Sequence, residues 1–262
     1  MIDRLKRFVL KYRIMPIIWC AQTFRAAKRY VKYNLDYFRV SRKLADERFE
    51  TGWTFRYPCL HDVTSTTSFD AHYIYHTAWA TRLIIQNRPE YHIDISSALY
   101  FVTLLSSLIP VRFYDYRPAK ITLSGLTCSR ADITALPFTD GDVESISCMH
   151  VVEHIGLGRY GDEYDPQGDI KAISELKRVV ADNGSLYFVV PIGGQAVLQF
   201  NAHRIYTYDQ IIDYFAGFDL IEFALICDDG SFVDIANQEV AGKQQYGCGC
   251  FLFKKVRDQA IC

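Results

Sequence analysis

The sequence predicts an α/β fold: a mostly parallel sheet, helices on both faces, and an antiparallel strand closing the chain. Three observations carry that expectation. Short apolar, β-rich runs alternate with helical patterns of about ten residues from Tyr91 onward, the arrangement of crossover connections in a parallel sheet. Two long strand-like runs, "DLIEFALICDD" and "YGCGCFLFKKV", end the chain with only a polar insert between them, so the last strand should run antiparallel. Half of the 262 residues are hydrophobic, enough for one substantial core.

The elements follow in order. "FDAHYIYHTAWATRLIIQN" (Phe69 to Asn87) has a helical period and is ended by Pro89. "YHIDIS" (Tyr91 to Ser96) is a short strand, and "ALYFVTLLSSLI" an apolar helix stopped by Pro110. "VRFYDY" (Val111 to Tyr116) is a second strand, and a weak third lies in "ITLSGLTCSRADIT". "VESISCMH" (Val143 to His150) is a strand, "DIKAISELKRVV" an amphipathic helix stopped at Asn183-Gly184, and "SLYFVV" an apolar strand. "YDQIIDYFAGF" is a helix ending near Gly217, and Gly230 to Gln245 form the polar insert. Residues 91–262 thus read as the body, 46–90 as a connector and helix packed on it, and 1–45 as a separate arm.

The arm is basic. Residues 1–43 hold twelve Lys/Arg against two Asp, a net of +10, while the whole chain is at −1. A basic arm is therefore joined to an acidic body, which argues against nucleic acid as a partner. Leu5, Phe8, Val9 and Tyr12 share one helical face; Phe24, Ala27, Val31, Leu35 and Phe38 share another. The apolar run Ile14 to Ala21 is short and contains Pro16, so neither a membrane span nor a secretory leader is expected there. Two readings stand: a helical pair packed on the body or in a homodimer, or a helix lying on an anionic membrane surface.

Eight cysteines are scattered without a C-x-x-C pair, which suits free thiols in a reducing cytoplasm. "SCMHVVEHIGLGRYGDEYDP" (Ser147 to Pro166) is the densest polar stretch. His150-Val-Val-Glu153-His154 spells the inverted zinc-peptidase pattern. That chemistry needs both histidines on one continuous helix, whereas a β-rich run precedes His150 and two glycines follow His154. No metal is expected from this motif, and Cys248-Gly-Cys250 reads as strand packing.

Two stretches carry a resemblance: "ADITALPFTDGDVESISCMHVVEHI" (Ala131 to Ile155) and "AISELKRVVADNGSLYFVVP" (Ala172 to Pro191). With the order of elements, they resemble the central signature of class I S-adenosylmethionine-dependent methyltransferases. "EHIGLGRYGD" with "FNAHRIY" (Phe200 to Tyr206) resembles a smaller bacterial family of unknown function found among polysaccharide-biosynthesis genes. The resemblance spans roughly Tyr91 to Val256. It implies a Rossmann-like sheet with S-adenosylmethionine bound at the carboxyl ends of its strands. By its implication Asp115 takes the ribose hydroxyls, Asp132 the adenine amino group, and Ile133 the ring face. Asp94, Ser96 and Ser97 hold the first turn, which lacks the family's glycines.

In the same frame His154 is the first candidate for the general base and His203 the second. Arg159, Tyr160, Asp162 and Asp165, on the long loop after strand four, and Asn201 and Arg204 after strand five suit a sugar or glycan acceptor. The implied activity is O-methylation of a sugar in a surface polysaccharide or its lipid-linked precursor, in the cytoplasm or at the inner face of the membrane. The alternative is a degenerate methyltransferase fold with another ligand or a non-catalytic role in glycan assembly, favoured by the glycine-free first turn.

Overall fold

The computed structural model describes residues 23–41, 43 and 48–256. The chain divides into two units, Met1–Ser68 and Phe69–Cys262. In the first, helix α1 covers residues 23–41, and the stripe led by Leu5 and the run Ile14 to Ala21 lie outside the described residues. A short 3-10 turn, Trp53–Phe55, folds back on α1. The Trp53 ring meets Tyr37 and Phe38 at centroid distances of 5.7 and 5.4 Å, with the Arg56 guanidinium over its face. Phe24, Tyr30, Val31, Leu35 and Phe38 remain exposed within this unit.

The second unit holds the sheet. Helix α2 (Ala71–Asn87) starts where the Asp70 side chain accepts the Tyr73 N–H, and ends at Arg88 in the left-handed region, one residue before Pro89. Strand β1 (His92–Ile95) leads to α3 (Leu99–Leu105), and β2 (Val111–Asp115) to β3 (Leu126–Arg130). Strand β4 (Val143–Met149) is followed by a 3-10 turn, a long loop and α4 (Gly168–Val179). Strand β5 (Val180–Ile192), the hairpin β6 (Val197–Gln199) and β7 (His203–Ile205), and α5 (Tyr208–Tyr214) come next. The chain closes with β8 (Phe218–Ile226), β9 (Phe232–Val233), α6 (Gln238–Ala241) and β10 (Gly247–Lys255).

Eight strands form one sheet in the order β3-β2-β1-β4-β5-β10-β8-β9. Neighbours from β3 to β5 are parallel, and β10 runs antiparallel to both β5 and β8. This is the sheet the alternation predicts, with its antiparallel closing strand. Alternate side chains of β5 feed two cores. Leu186, Phe188 and Val190 pack with Ala172, Ile173 and Leu176 of α4; Tyr187 and Val189 pack on the other face with Trp79, Phe101 and Val102.

Three local differences from the sequence reading have physical causes. Asn183-Gly184 does not stop α4, which ends at Val179; it forms an outpouching within β5, where Val143 pairs with Val180 and Ser145 with Ser185, and Asn183 takes φ 60. The hairpin β6–β7 carries only three residues per strand, too few for a periodic signal. The polar insert is partly ordered, because the Asn237 side chain caps α6 and β9 extends the sheet edge.

Candidate active site

Parallel strands that lead into helices leave a crevice at their carboxyl ends. Here β1, β2 and β4 end at Ile95, Asp115 and Met149, and a cleft of about 600 Å³ opens over them, within the range of small-ligand sites. Its walls include Ser96, Asp115, Asp132 and Ile133 on one side, and His150, His154, Tyr160, Asp162 and Asp165 on the other.

The first wall rests on a buried polar lattice. Asp94, on β1, has no exposed surface. Its carboxylate accepts the Ser97 N–H at 3.0 Å and the Ser147 hydroxyl. Because Ser147 donates to Asp94, it must accept from His92 Nε2 at 2.8 Å, and His92 Nδ1 then accepts from Ser145. Burial pushes the Asp94 carboxyl up to about 6, against the pull of its serine donors, and pushes His92 down to about 3. Ser97 Oγ accepts the Met149 N–H at 3.1 Å. Asp94 and Ser97, expected to hold a ligand, therefore stitch β1 to β4 beneath the cleft; only Ser96 of that turn lines it.

Ser96 has φ +56, the left-handed region that glycine enters more cheaply. The sequence shows that this turn has no glycine, but not that a serine in it takes a left-handed conformation. Asp115 and Asp132 each organise their own turn. Asp115 accepts the Arg117 N–H at 2.6 Å, and Asp132 the Thr134 N–H and hydroxyl at 2.8 and 2.7 Å. All of these bonds fall on Oδ1, so Oδ2 of each carboxylate stays available to a ligand. Ile133 is buried in the same wall.

The second wall begins at the 3-10 turn Val152–His154. His154 Nδ1 lies 2.7 Å from the Ala202 carbonyl, so Nδ1 carries the proton and Nε2, 3.7 Å from Glu153 Oε1, is the unprotonated nitrogen. Burial lowers its pKa, which keeps the ring neutral near pH 7. Arg159 does not line the cleft; it donates to the same carbonyl at 2.8 Å, with its guanidinium 5.2 Å from the Tyr160 ring. His150 precedes the 3-10 turn, so no single helix carries both histidines of the H-x-x-E-H pattern.

The loop after His154 is tied to itself. One Asp162 oxygen accepts the N–H groups of Gly156 and Gly158 at 2.9 and 3.3 Å, and the other accepts that of Tyr160 at 3.1 Å. Burial alone would raise the Asp162 pKa, but these backbone donors outweigh it and hold it below its ordinary value. A Cβ on Gly156, at φ +77, would lie 2.1 Å from the Asp165 carbonyl oxygen, so only glycine fits there. Asp165 accepts from Gln167 N and from Lys171 Nζ at 2.9 and 2.7 Å. Asp162 and Asp165, expected to hold an acceptor, are first of all the ties of this loop.

The residues after β5 divide. Arg204 is buried, with Nη1 donating to the Ile155 carbonyl at 2.7 Å and Nε 3.4 Å from Asp169, whose other contact is the Tyr206 hydroxyl at 3.0 Å. It clamps the 3-10 turn to α4 and does not line the cleft. Asn201 is exposed beside Ala202. His203 stacks on Tyr246 with centroids 4.9 Å apart, and 6.3 Å from the His154 ring. Burial lowers the pKa of His203, and its Nε2 has no partner among the described residues. Sequence reading missed Tyr116, Thr134, Glu163 and Lys171 in the cleft walls. It also missed that His72 and His76 of α2 stand against His150, although their spacing of four in "AHYIYH" puts both on one helical face.

Residues 139–248 match the family model described as Caenorhabditis protein of unknown function, DUF268. No curated protein matches the sequence. Among solved structures, the 1,6-didemethyltoxoflavin-N1-methyltransferase of Burkholderia thailandensis, with bound 1,6-didemethyltoxoflavin and S-adenosylhomocysteine, is similar at TM-score 0.51 and 8% identity; the match covers 70% of this chain and 79% of that one. The N-methyltransferase NodS of Bradyrhizobium japonicum, in complex with S-adenosylhomocysteine, matches at TM-score 0.47 and 14% identity over 84% of this chain and 98% of that one. The fold is the Rossmann-like class I methyltransferase fold.

Proposed function

We propose that the protein is an S-adenosylmethionine-dependent methyltransferase acting on a sugar hydroxyl. The observation that carries this reading is the cleft over β1, β2 and β4, which gathers Ser96, Asp115, Asp132 and Ile133 in one wall and His154 in the other. The donor set fits the cofactor. A carboxylate with one free oxygen at the end of β2 suits a vicinal diol, and a second beside Ile133 suits an amino group over an apolar ring face. When bound, S-adenosylmethionine supplies an activated methyl group on a sulfonium. The protein then has to align the hydroxyl, take its proton and exclude water. His154 Nε2 is the group for the proton, held in the required tautomer by the Ala202 carbonyl.

The acceptor class, a surface polysaccharide or lipid-linked precursor, is supported by the resemblance of "EHIGLGRYGD" and "FNAHR" to the bacterial family of unknown function. A basic arm with exposed Phe24, Val31, Leu35 and Phe38 supports attachment to an anionic membrane from the cytoplasmic side. No helix among the described residues is long and apolar enough to cross a membrane. Full-length protein should float with anionic liposomes and be released as salt rises, since charge attraction is screened over roughly 8–10 Å at physiological ionic strength. Equal behaviour of an arm-deleted protein would make the arm a packing or dimer element.

Calorimetric titration with S-adenosylmethionine tests the core of the proposal. Binding to the full chain supports it; a folded protein that binds neither S-adenosylmethionine nor S-adenosylhomocysteine overturns it. That outcome favours the second reading, a degenerate fold serving another ligand, which the strained Ser96 at the glycine position supports.

A further inference from the structure

Beside His154 lies a set of groups that methyl transfer leaves unused. His150 leaves β4 at φ +58, a conformation uncommon outside glycine and concentrated at functional sites. Its Nδ1 donates to Glu153 Oε1 at 2.8 Å, and its Nε2 lies 3.3 Å from Cys248 Sγ on β10. His72, in the first turn of α2, stacks on the His150 ring with centroids 5.7 Å apart and planes 9° from parallel. One ligand atom from each of His72, His150 and Cys248 lies within 4.8 Å of the others. With bonds of about 2.0–2.3 Å, tetrahedral zinc holds its ligand atoms roughly 3.3–3.8 Å apart, so small side-chain rotations would close the cluster.

We propose that His72, His150 and Cys248 form a three-ligand site for a divalent cation of the zinc class, with a fourth position left for water or a ligand from the cleft. Two imidazoles and a thiolate select such a metal over magnesium or calcium, which take oxygen ligands. Glu153 is the carboxylate that zinc-bound histidines commonly hold through their other nitrogen. It is fully buried, and its Oε2 has no partner among the described residues. A bare buried carboxylate oxygen is costly, and a dication beside His150 offsets it. His76, also buried, adds an unpartnered Nε2, with its ring 5.1 Å from that of His150. The site has an approach: His72 is partly exposed, and His150 lines the cleft. Binding exchanges the Cys248 thiol proton for the metal; the proton leaves to solvent and nothing is oxidised or reduced. This site is distinct from the H-x-x-E-H pattern, because His154 spends its Nδ1 on Ala202 and is not among the three ligands.

The test uses the full chain, stripped with a chelator and titrated with zinc by calorimetry and with cobalt(II) by absorption. No cofactor or acceptor is needed, so the outcome is independent of methyltransferase activity. One equivalent of zinc is expected, together with a near-ultraviolet thiolate-to-cobalt charge-transfer band and visible bands of tetrahedral cobalt. His72→Gln should weaken zinc binding by at least about 10–100-fold, the range already seen for loss of an outer-shell partner, and Cys248→Ser should remove the charge-transfer band. Cys59→Ser, at an exposed cysteine outside the sheet unit, should change neither. Absence of stoichiometric zinc in the folded wild type, or a band that survives Cys248→Ser, overturns the proposal. Should Cys248→Ser fail to fold, His72→Gln decides, because its ring sits near the surface: unchanged zinc affinity there overturns the site.

Discussion

The two walls of the cleft are built on opposite principles. In the wall over β1 and β2, polar groups are satisfied before any ligand arrives. Asp94 has Ser97 and Ser147, Asp115 has the Arg117 N–H, and Asp132 has Thr134. Behind the wall over β4, they are not. Among the described residues, Glu153 Oε2, His203 Nε2, Arg204 Nη2 and His76 Nε2 are buried without partners, although none of the four lines the cleft itself. A satisfied wall fixes shape and binds through its spare oxygens. An unsatisfied wall carries an energetic deficit that a proton, a metal or an acceptor can relieve. Under the proposed function, that contrast gives binding to the first wall and chemistry to the second.

The sharpest way to break that assignment is His154→Ala. With a working acceptor, found by screening nucleotide sugars and lipid-linked glycans against labelled cofactor, turnover should fall about 10²–10⁴-fold while cofactor affinity stays nearly unchanged. Near-full turnover in the variant would move the chemistry elsewhere, with His203 next to test.

Beneath the satisfied wall, the comparison can be sharpened by acid. His92 is held neutral down to about 3, against an ordinary value of 6.5. The unfolded chain takes up a proton there below pH 6.5 and the folded chain does not, so stability falls as pH drops from 6.5 toward 3. Asp94, raised from 3.8 to about 6, acts with the opposite sign, favouring the fold as pH drops through that interval. His92→Gln should therefore leave a shallower acid limb than wild type, by up to about 1.4 kcal/mol per pH unit, in urea midpoints measured from pH 7 to 4. Parallel limbs would show that His92 is not the titrating group.

Smaller effects test each wall locally. Asp115→Ala should weaken S-adenosylmethionine binding by roughly 1–3 kcal/mol in calorimetry, the scale of charge-assisted hydrogen bonds. A folded variant of unchanged affinity would remove Asp115 from the site. Asp162→Ala frees the N–H groups of Gly156, Gly158 and Tyr160. Amide exchange at those three positions should accelerate by about 5–30-fold, corresponding to roughly 1–2 kcal/mol of local stability. Unaltered exchange would mean that the glycine turns hold the loop without it.

Much of the satisfied wall was legible in the sequence, because strand ends there coincide with carboxylates and with Pro118 or "ALPF" just beyond. Asp115, which ends β2, lines the cleft, and so do Asp132 and Ile133, which the resemblance to class I methyltransferases singled out. Asp94 and Ser97 sit one turn too deep because β1, flanked by β2 and β4, is buried at every position, so alternation cannot tell its faces apart. The unsatisfied wall was less legible. Its members come from α2, β4, the 3-10 turn, β7 and β10, and only the folded sheet brings residues as distant as His72 and Cys248 together. Arg204 read as a ligand-binding guanidinium, since nothing local shows that Asp169 and the Ile155 carbonyl will claim it.

The place of β10 has a consequence in time. It is the last strand of the described chain, yet it lies between β5 and β8 in the middle of the sheet. While the chain is being made, the β8–β9 pair has no neighbour to join until β10 follows it and inserts. Cys248 travels on that strand and reaches His150 only at insertion. The thiol is thus the last of the three groups to be made, on the strand against which α2 itself packs. A nascent or partly assembled sheet would lack the complete His72, His150 and Cys248 set, and the finished sheet would be the first state to hold it.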